Sequence, residues 1–478
     1  MKIITCISLI FFSSLVSYCQ SVGINEDASA PNPSALVDIK SISKGLLIPR
    51  MSTAQRKAIA SPAAGLLVFD LDKSTIYLFD GQKWQPMLFA NSDLNNPSIA
   101  RAASDGTAGD KFGVSVSISG DYAIIGAFNE DIATKADQGA AYIFIRQDGG
   151  WSQQSKLIAS DGAAGDNFGN SVSISGDYAI VGAPKGAGAW FLQGAAYIFV
   201  RNGTSWTQQA KLNASDGIIG EYFGTSVSID GNYAVIGAPN AQVFYANQGA
   251  AYVFMRGGTS WAQQSKLTYP GGQYNDYLGY SVSISGEYVI AGAPYFDWLG
   301  TDRGGAFTFL RTGSSWVFQE SLDPNTAKQG DNFGSSVSMK GSSVIAGAPN
   351  HDGQNTNDGC AYVFVLNGAS WNQQSEISPV NSQVNANFGS SVSIDGDNAV
   401  IGEIYEDVYG NNGQQDAGAA YIFHRLATSW NFVRTIIDGN LQPSGFFGSA
   451  VGVSGYNYIV GAVGKNNSQG EVNFLNTE

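Results

Sequence analysis

The chain has 478 residues, of which 13% are charged, 12% are aromatic and 59 are glycine, and its formal net charge is −14. An acidic surface poor in lysine and arginine excludes the phosphate-neutralising contacts of nucleic-acid binding and the basic patches that hold proteins to anionic membranes. Many glycines and β-formers with few charges point to an all-β protein of short elements joined by tight turns.

The first element is a leader. Lys2, a mostly apolar stretch over 3–16, and Ser17 and Cys19 at −3 and −1 read as a secretory signal peptide spanning 1–19. Tyr18 disfavours lipid attachment at Cys19. The apolar run is too short for a spanning helix, and no later segment is long enough. Cleavage removes Cys6 and Cys19, leaves only Cys360, and so implies an exported chain without an internal disulfide.

Residues 20–88 form a different kind of segment. They carry Val22-Gly23-Ile24, Ala35-Leu36-Val37-Asp38-Ile39, Gly45-Leu46-Leu47-Ile48-Pro49-Arg50-Met51, Gly65-Leu66-Leu67-Val68-Phe69-Asp70 and Tyr77-Leu78-Phe79-Asp80-Gly81. This order predicts short strands, one brief helix near 52–59 and a hairpin ending at Trp84. It resembles a segment common in exported, fibre-like and surface proteins of Bacteroidetes-type bacteria. So small a unit buries little core alone, so it is expected to lean on a partner copy or the adjacent domain. Residues 89–97, rich in Asn, Asp, Ser and Pro, read as a linker.

From residue 98 a repeat takes over. Phe112-Gly113, Phe168-Gly169, Phe223-Gly224, Leu278-Gly279, Phe333-Gly334, Phe388-Gly389 and Phe447-Gly448 recur every 55 residues in the middle of the series, with 56 before and 59 after. Each repeat predicts four antiparallel strands. In the second these are 171–175, a turn at Gly176-Asp177, 178–181 leading to Gly182-Ala183-Pro184, 194–200, a hairpin at Asn202-Gly203, and 206–212. The seventh repeat stops after its third strand, while residues 98–106 match the end of a fourth strand, 154–162. Joining the two would complete the last blade and hide two sheet edges. The expectation is an all-β fold: a seven-bladed β-propeller over 98–478, closed by an N-terminal strand and preceded by a small, mostly-β module.

The Phe-Gly pairs, the Gly-Ala-Pro triplets at 182–184, 237–239, 292–294 and 347–349, and strands of the Gly194-Ala195-Ala196-Tyr197 type resemble FG-GAP repeats, the units of the integrin α-subunit propeller. The resemblance implies extracellular recognition or adhesion and names no ligand. One departure matters. In calcium-binding repeats of that type an Asp-rich loop follows the Phe-Gly strand, whereas here the connection is only a turn such as Ser175-Gly176-Asp177 or Asp395-Gly396-Asp397. So short a turn cannot wrap six to eight oxygens around Ca²⁺, and the calcium sites are not carried over. No cofactor is implied.

Loops between strands two and three, and between repeats, are long and share one face, which makes that face the candidate site. Its aromatics are Trp190, Phe191, Phe244, Tyr245, Tyr295, Phe296, Trp298, Tyr405 and Tyr409, able either to stack on sugars and protein partners or to cover the blade rim. Acids gather there too: Glu130, Asp131, Asp297, Asp302, Glu406, Asp407 and Asp416. Asp352, Asn355, Asn357 and Asp358 around the turn at Gly353 are the best cation donors, although their spacing fits no standard calcium loop and solvated loop polarity explains them better. Asp110, Asp166, Glu221, Asp276 and Asp331 recur just before the aromatic-glycine pairs and read as turn-capping residues. Trp151, Trp206, Trp261, Trp316, Trp371 and Trp430 read as inter-blade packing, and Cys360 as a small buried thiol.

With two histidines in different repeats, and no catalytic signature or non-repeating carboxylate pair that stands out, the sequence favours a non-enzyme. The reading is an exported surface or secreted protein that binds an extracellular protein or glycan. A polysaccharide-acting enzyme using carboxylates on the same face, and a structural spacer, are the alternatives.

Overall fold

The computed structural model describes residues 22–25, 29–30, 37–41, 43, 46–71, 75–79, 81, 84–86 and 98–477, apart from 148, 187, 189, 298–300, 380–382 and 409–414. The expected signal peptide and linker lie outside the described residues. The chain divides into two compact units, Met1–Phe89 and Ala90–Glu478.

In the first unit Val22–Asn25 pairs in parallel with Val37–Lys40, and Arg50–Met51, Leu67–Asp70, Thr75–Phe79 and Trp84–Pro86 form a four-stranded sheet. Between them lies the short helix Thr53–Lys57. Ser52 begins it because its hydroxyl accepts from the Gln55 N–H while the Gln55 side chain accepts from the Ser52 N–H. Arg56 is buried against Asp70 at 2.8 Å, with its guanidinium 3.7 Å from the Tyr77 ring centroid. This charged centre replaces the apolar core that so short a segment cannot build. Val22, Ile24, Val37, Ile39, Leu46 and Leu47 stay exposed.

The second unit is all-β, a propeller-like succession of seven four-stranded antiparallel sheets. We number them one to seven from their first strands, which begin at Val116, Ser171, Ser226, Ser281, Ser336, Phe388 and Phe447. Within sheet two the strands are Ser171–Ser175, Tyr178–Ala183, Ala195–Asn202 and Ser205–Leu212, joined in chain order. Sheet seven takes its fourth strand from upstream: Ile99–Arg101 pairs with Glu471–Asn476, setting Ile99 opposite Phe474 and Arg101 opposite Val472. Sheet one also meets sheet seven directly. Phe112 bridges to Gly470, and the Trp151 ring stacks on Phe474 with centroids 4.4 Å apart.

The repeated motif has a packing cause. A Cβ at Gly182 would lie 2.1 Å from the Gly224 carbonyl oxygen of the next sheet, so only glycine lets the two chains approach. That same carbonyl accepts from the Ser171 hydroxyl at 2.8 Å, and the bond recurs from Ser115 to Gly169, Ser226 to Gly279, Ser281 to Gly334 and Ser336 to Gly389. Thus the glycine of one motif and the glycine of the following aromatic pair form one joint. The large apolar residue of each pair is buried, as Phe112, Phe168, Phe223, Leu278, Phe333, Phe388 and Phe447 show. The recurrent tryptophans tie the fourth strands together. Trp206, Trp261, Trp316, Trp371 and Trp430 each donate their indole N–H to a glutamine of the preceding sheet, at 2.8–3.2 Å.

Candidate functional site

The residue before each aromatic-glycine pair has left-handed backbone in all seven sheets: Lys111, Asn167, Tyr222, Tyr277, Asn332, Asn387 and Phe446, with φ between 51° and 63°. Asparagine suits this conformation better than a bulky residue does. In sheets two, five and six it also makes a clamp. The amides of Asn167, Asn332 and Asn387 donate to the carbonyls of Phe128, Pro294 and Pro349 in the preceding sheet, at 3.1, 2.9 and 2.8 Å.

Sheets one and seven put Lys111 and Phe446 there, and sheets three and four put tyrosine. At the two tyrosines a cleft of about 680 Å³ opens, lined by Tyr222, Tyr274, Tyr277, Tyr280 and Tyr295 with Thr225, Pro239, Asn240, Asn275, Asp297 and Asp302. Tyr277 and Tyr295 meet edge to face at 5.5 Å, and Tyr274 leans on Tyr245 at 4.6 Å. Tyr274, Tyr280 and Tyr295 are all more than 40% exposed, so their ring faces are open to a ligand. Asp276, buried nearby, has its carboxyl pushed up to about 6 by desolvation and then by the charge of Asp297.

The expected aromatic site is therefore only partly gathered. Tyr295 lines the cleft, Tyr245 supports it through Tyr274, and Phe244 is exposed on the same loop. Trp190 and Phe191 are exposed on the loop of sheet two and Tyr405 on that of sheet six, and none of the three lines the cleft. Phe296 is a correction: it is 3% exposed, packed edge-on against Tyr269 and Phe307, because Gly305 leaves room for the ring. Trp298 and Tyr409 lie outside the described residues. Tyr222, Tyr274, Tyr277 and Tyr280 were not singled out in the sequence. The available signal was the break in the Asn167, Asn332, Asn387 series.

The loop acids are largely occupied by their own loops. Asp131, Asp297, Asp352 and Asp407 accept from the N–H of Asp137, Asp302, Asn357 and Asp416 at 2.8–3.0 Å, closing the connection between strands two and three. Asp358 accepts from the N–H groups of Gly353, Gln354 and Asn355 at 2.8–2.9 Å, and Asn357 donates its amide to Asn385. Asp352, Asn355, Asn357 and Asp358 thus share one hydrogen-bonded loop. Asp166 and Asp331 accept from the N–H three residues upstream, both at 2.7 Å.

One pair of carboxylates does break the repeat. Glu403 stands where the other sheets have alanine, is fully buried, and lies beside the buried Glu406. Desolvation, and then the Glu406 charge, push Glu403 up to about 8, with Tyr421 offsetting part of the effect. Desolvation and the Asp407 charge push Glu406 up to about 7.

The sheets define a class: an all-β protein built from repeated four-stranded antiparallel sheets. Comparison with family models identifies FG-GAP repeats over 102–144, 151–199, 206–254, 261–309, 316–364 and 371–423. These cover more than half of the chain, and the chain belongs to the FG-GAP repeat family. Domains of this kind are typically non-catalytic. Residues 23–99 match a phage tail-like trimerisation region. A search of curated proteins found no match. Among the described residues no helix is long and apolar enough to cross a membrane.

Proposed function

We propose that this chain is an exported surface or secreted binding protein that recognises an extracellular glycan or protein through the cleft between sheets three and four. The observation that carries the reading is the pair Tyr222 and Tyr277. Each holds a bulky side chain in left-handed backbone at a position where asparagine would be cheaper and would bond the neighbouring sheet. Lys111 and Phe446 also replace asparagine at this position, so what sets sheets three and four apart is that both carry tyrosine there and both tyrosines line an open cleft. Tyrosine faces stack on sugar rings or anchor a protein side chain, and Asp297, Asp302 and Asn240 offer polar contacts at the rim.

The reading includes a seven-bladed ring. It is supported by the pairing of Ile99–Arg101 with Glu471–Asn476 and by the contacts between sheets one and seven. It also includes a trimer assembled through the first unit. The matched trimerisation region and the exposed Val22, Ile24, Val37, Ile39, Leu46 and Leu47 support this. Three copies would raise avidity for a repetitive ligand.

A glycan array with the full chain tests the sugar form of the proposal. Binding lost in Tyr277→Ala/Tyr295→Ala, with the far-ultraviolet spectrum unchanged, supports the cleft, and unchanged binding removes it. Polysaccharide turnover abolished by Asp297→Asn would make the chain an enzyme instead.

A further inference from the structure

Sheet five departs from sheets one to three at four positions that lie close together. In sheets one to three the fourth strand carries Lys156, Lys211 or Lys266, whose ammonium lies 5.3–5.5 Å from the ring centroid of Tyr142, Tyr197 or Tyr252. These lysines pair with Asp105, Asp161 and Asp216. Sheet seven places Lys465 in the corresponding region, between Asp438 and Glu471. Each of these sheets therefore carries its own cation there.

Sheet five carries Glu376 at the lysine position and Thr326 at the aspartate position. It also has Cys360 where sheets two and three have Ala195 and Ala250, and His351 where they have Gly186 and Ala241. The lysine is gone, and an imidazole, a thiol and a carboxylate have come in together. Their ligand atoms all lie within 4.8 Å of one another, with His351 Nε2 4.0 Å from Glu376 Oε1. His351 Nδ1 is held by Asp331 Oδ2 at 2.7 Å, which leaves Nε2 turned toward the other two groups. A carboxylate on the far nitrogen is how proteins fix the tautomer and direction of a metal-binding histidine. His351 and Cys360 are buried, whereas Glu376 is exposed at the edge of the sheet and gives an entry path.

We propose that His351 Nε2, Cys360 Sγ and Glu376 Oε1 bind a divalent zinc-type cation, with Asp331 positioning the histidine. Ligand atoms around tetrahedral zinc sit about 3.3–3.8 Å apart, given bonds of about 2.0–2.3 Å. Closing the widest separation takes a movement of about 1–1.5 Å, for which the exposed Glu376 exchanges its bond from the Thr326 hydroxyl for the metal. Binding releases the Cys360 proton, and the resulting thiolate and carboxylate neutralise the dication. A fourth coordination position is left for water. This inference does not rest on the tyrosine cleft.

The test uses the purified full chain, stripped with a chelator and then titrated with Zn²⁺ by calorimetry and with Co²⁺ by absorption. The expected result is one zinc per chain and a thiolate-to-cobalt charge-transfer band. The variants His351→Ala, Cys360→Ala and Glu376→Lys restore residues that sheet three already carries as Ala241, Ala250 and Lys266, and an unchanged far-ultraviolet spectrum checks that each folds. Each is expected to remove the band or the stoichiometric zinc, and Asp331→Asn to weaken zinc about 10–100-fold. Zinc should raise the thermal midpoint of the parent chain and leave that of the triple variant unchanged. No stoichiometric zinc in the parent chain, equal binding by the triple variant, or a cobalt spectrum without a thiolate band would each overturn the proposal.

Discussion

Replacing Glu403 with alanine tests how the sheet-six acid pair enters the energetics. Its carboxyl has a value of 4.5 when unperturbed and about 8 in the folded chain, so folding takes up a proton between those limits. The folded form binds more protons than the unfolded form in this window. The free energy of unfolding therefore falls as pH rises from about 4.5 to about 8. The burden is small at pH 5 and grows by up to about 1.4 kcal/mol per pH unit through the window, shared with the neighbouring Glu406. Glu403→Ala removes that burden and leaves a cavity costing about 1–3 kcal/mol, a cost that does not depend on pH. The variant should be equal to or less stable than the parent at pH 5 and more stable at pH 8. The difference between the two should move in the variant's favour as pH rises across that range. Urea unfolding at both pH values measures this. A difference that stays constant with pH, or that shrinks toward pH 8, would refute the assignment of a buried, protonated Glu403.

Gly182→Ala should destabilise the chain by about 2 kcal/mol or more, because its Cβ would press on the Gly224 carbonyl. Gly203→Ala meets no neighbouring atom and should cost only about 1 kcal/mol of backbone strain, both read by chemical denaturation. Deleting residues 98–101 should expose the edge of Glu471–Asn476 and speed amide exchange there, with sheet three unaffected. Leu46→Ser with Leu47→Ser should shift sedimentation from trimer to monomer while leaving the propeller-like unit folded.

Most of the fold could be read from the chain because its determinants are local and repeated. The glycine joints, alternating strands and short hairpins occur in every unit, so one repeat checks the next. The helix near residue 52 was legible for the same reason, since its capping box lies within four residues. The cleft was harder. It is assembled from Tyr222, Tyr274, Tyr277, Tyr280 and Tyr295, which come from two sheets and from loops on both sides of the aromatic-glycine pair. Aromatic content along one loop could not distinguish Tyr295, which lines the cleft, from Phe296 beside it, which is buried. The Glu403 and Glu406 pair was hidden differently. Glu403 is visible as a break in the Gly-Ala series, but only the burial of the alanine position makes it costly.

Tyr277→Asn separates what the scaffold wants from what the site wants. Asn332 and Asn387 show what asparagine does at this position: it accepts left-handed backbone and donates to a proline carbonyl of the preceding sheet at 2.8–2.9 Å. For residue 277 the matching acceptor is Pro239, which already lines the cleft. The substitution should add one inter-sheet hydrogen bond, worth about 1 kcal/mol, and relieve a further fraction of strain. Against this stands the lost edge contact with Tyr295, worth about 0.5–1.5 kcal/mol. Stability should therefore hold or rise slightly, while the cleft loses one of its walls and its ligand. If Tyr277→Asn instead unfolds the chain, the tyrosine is there for packing. If it folds and still binds as before, the ligand sits elsewhere. A variant that is at least as stable and no longer binds would show that tyrosine is kept at this position for recognition, at the expense of the joint.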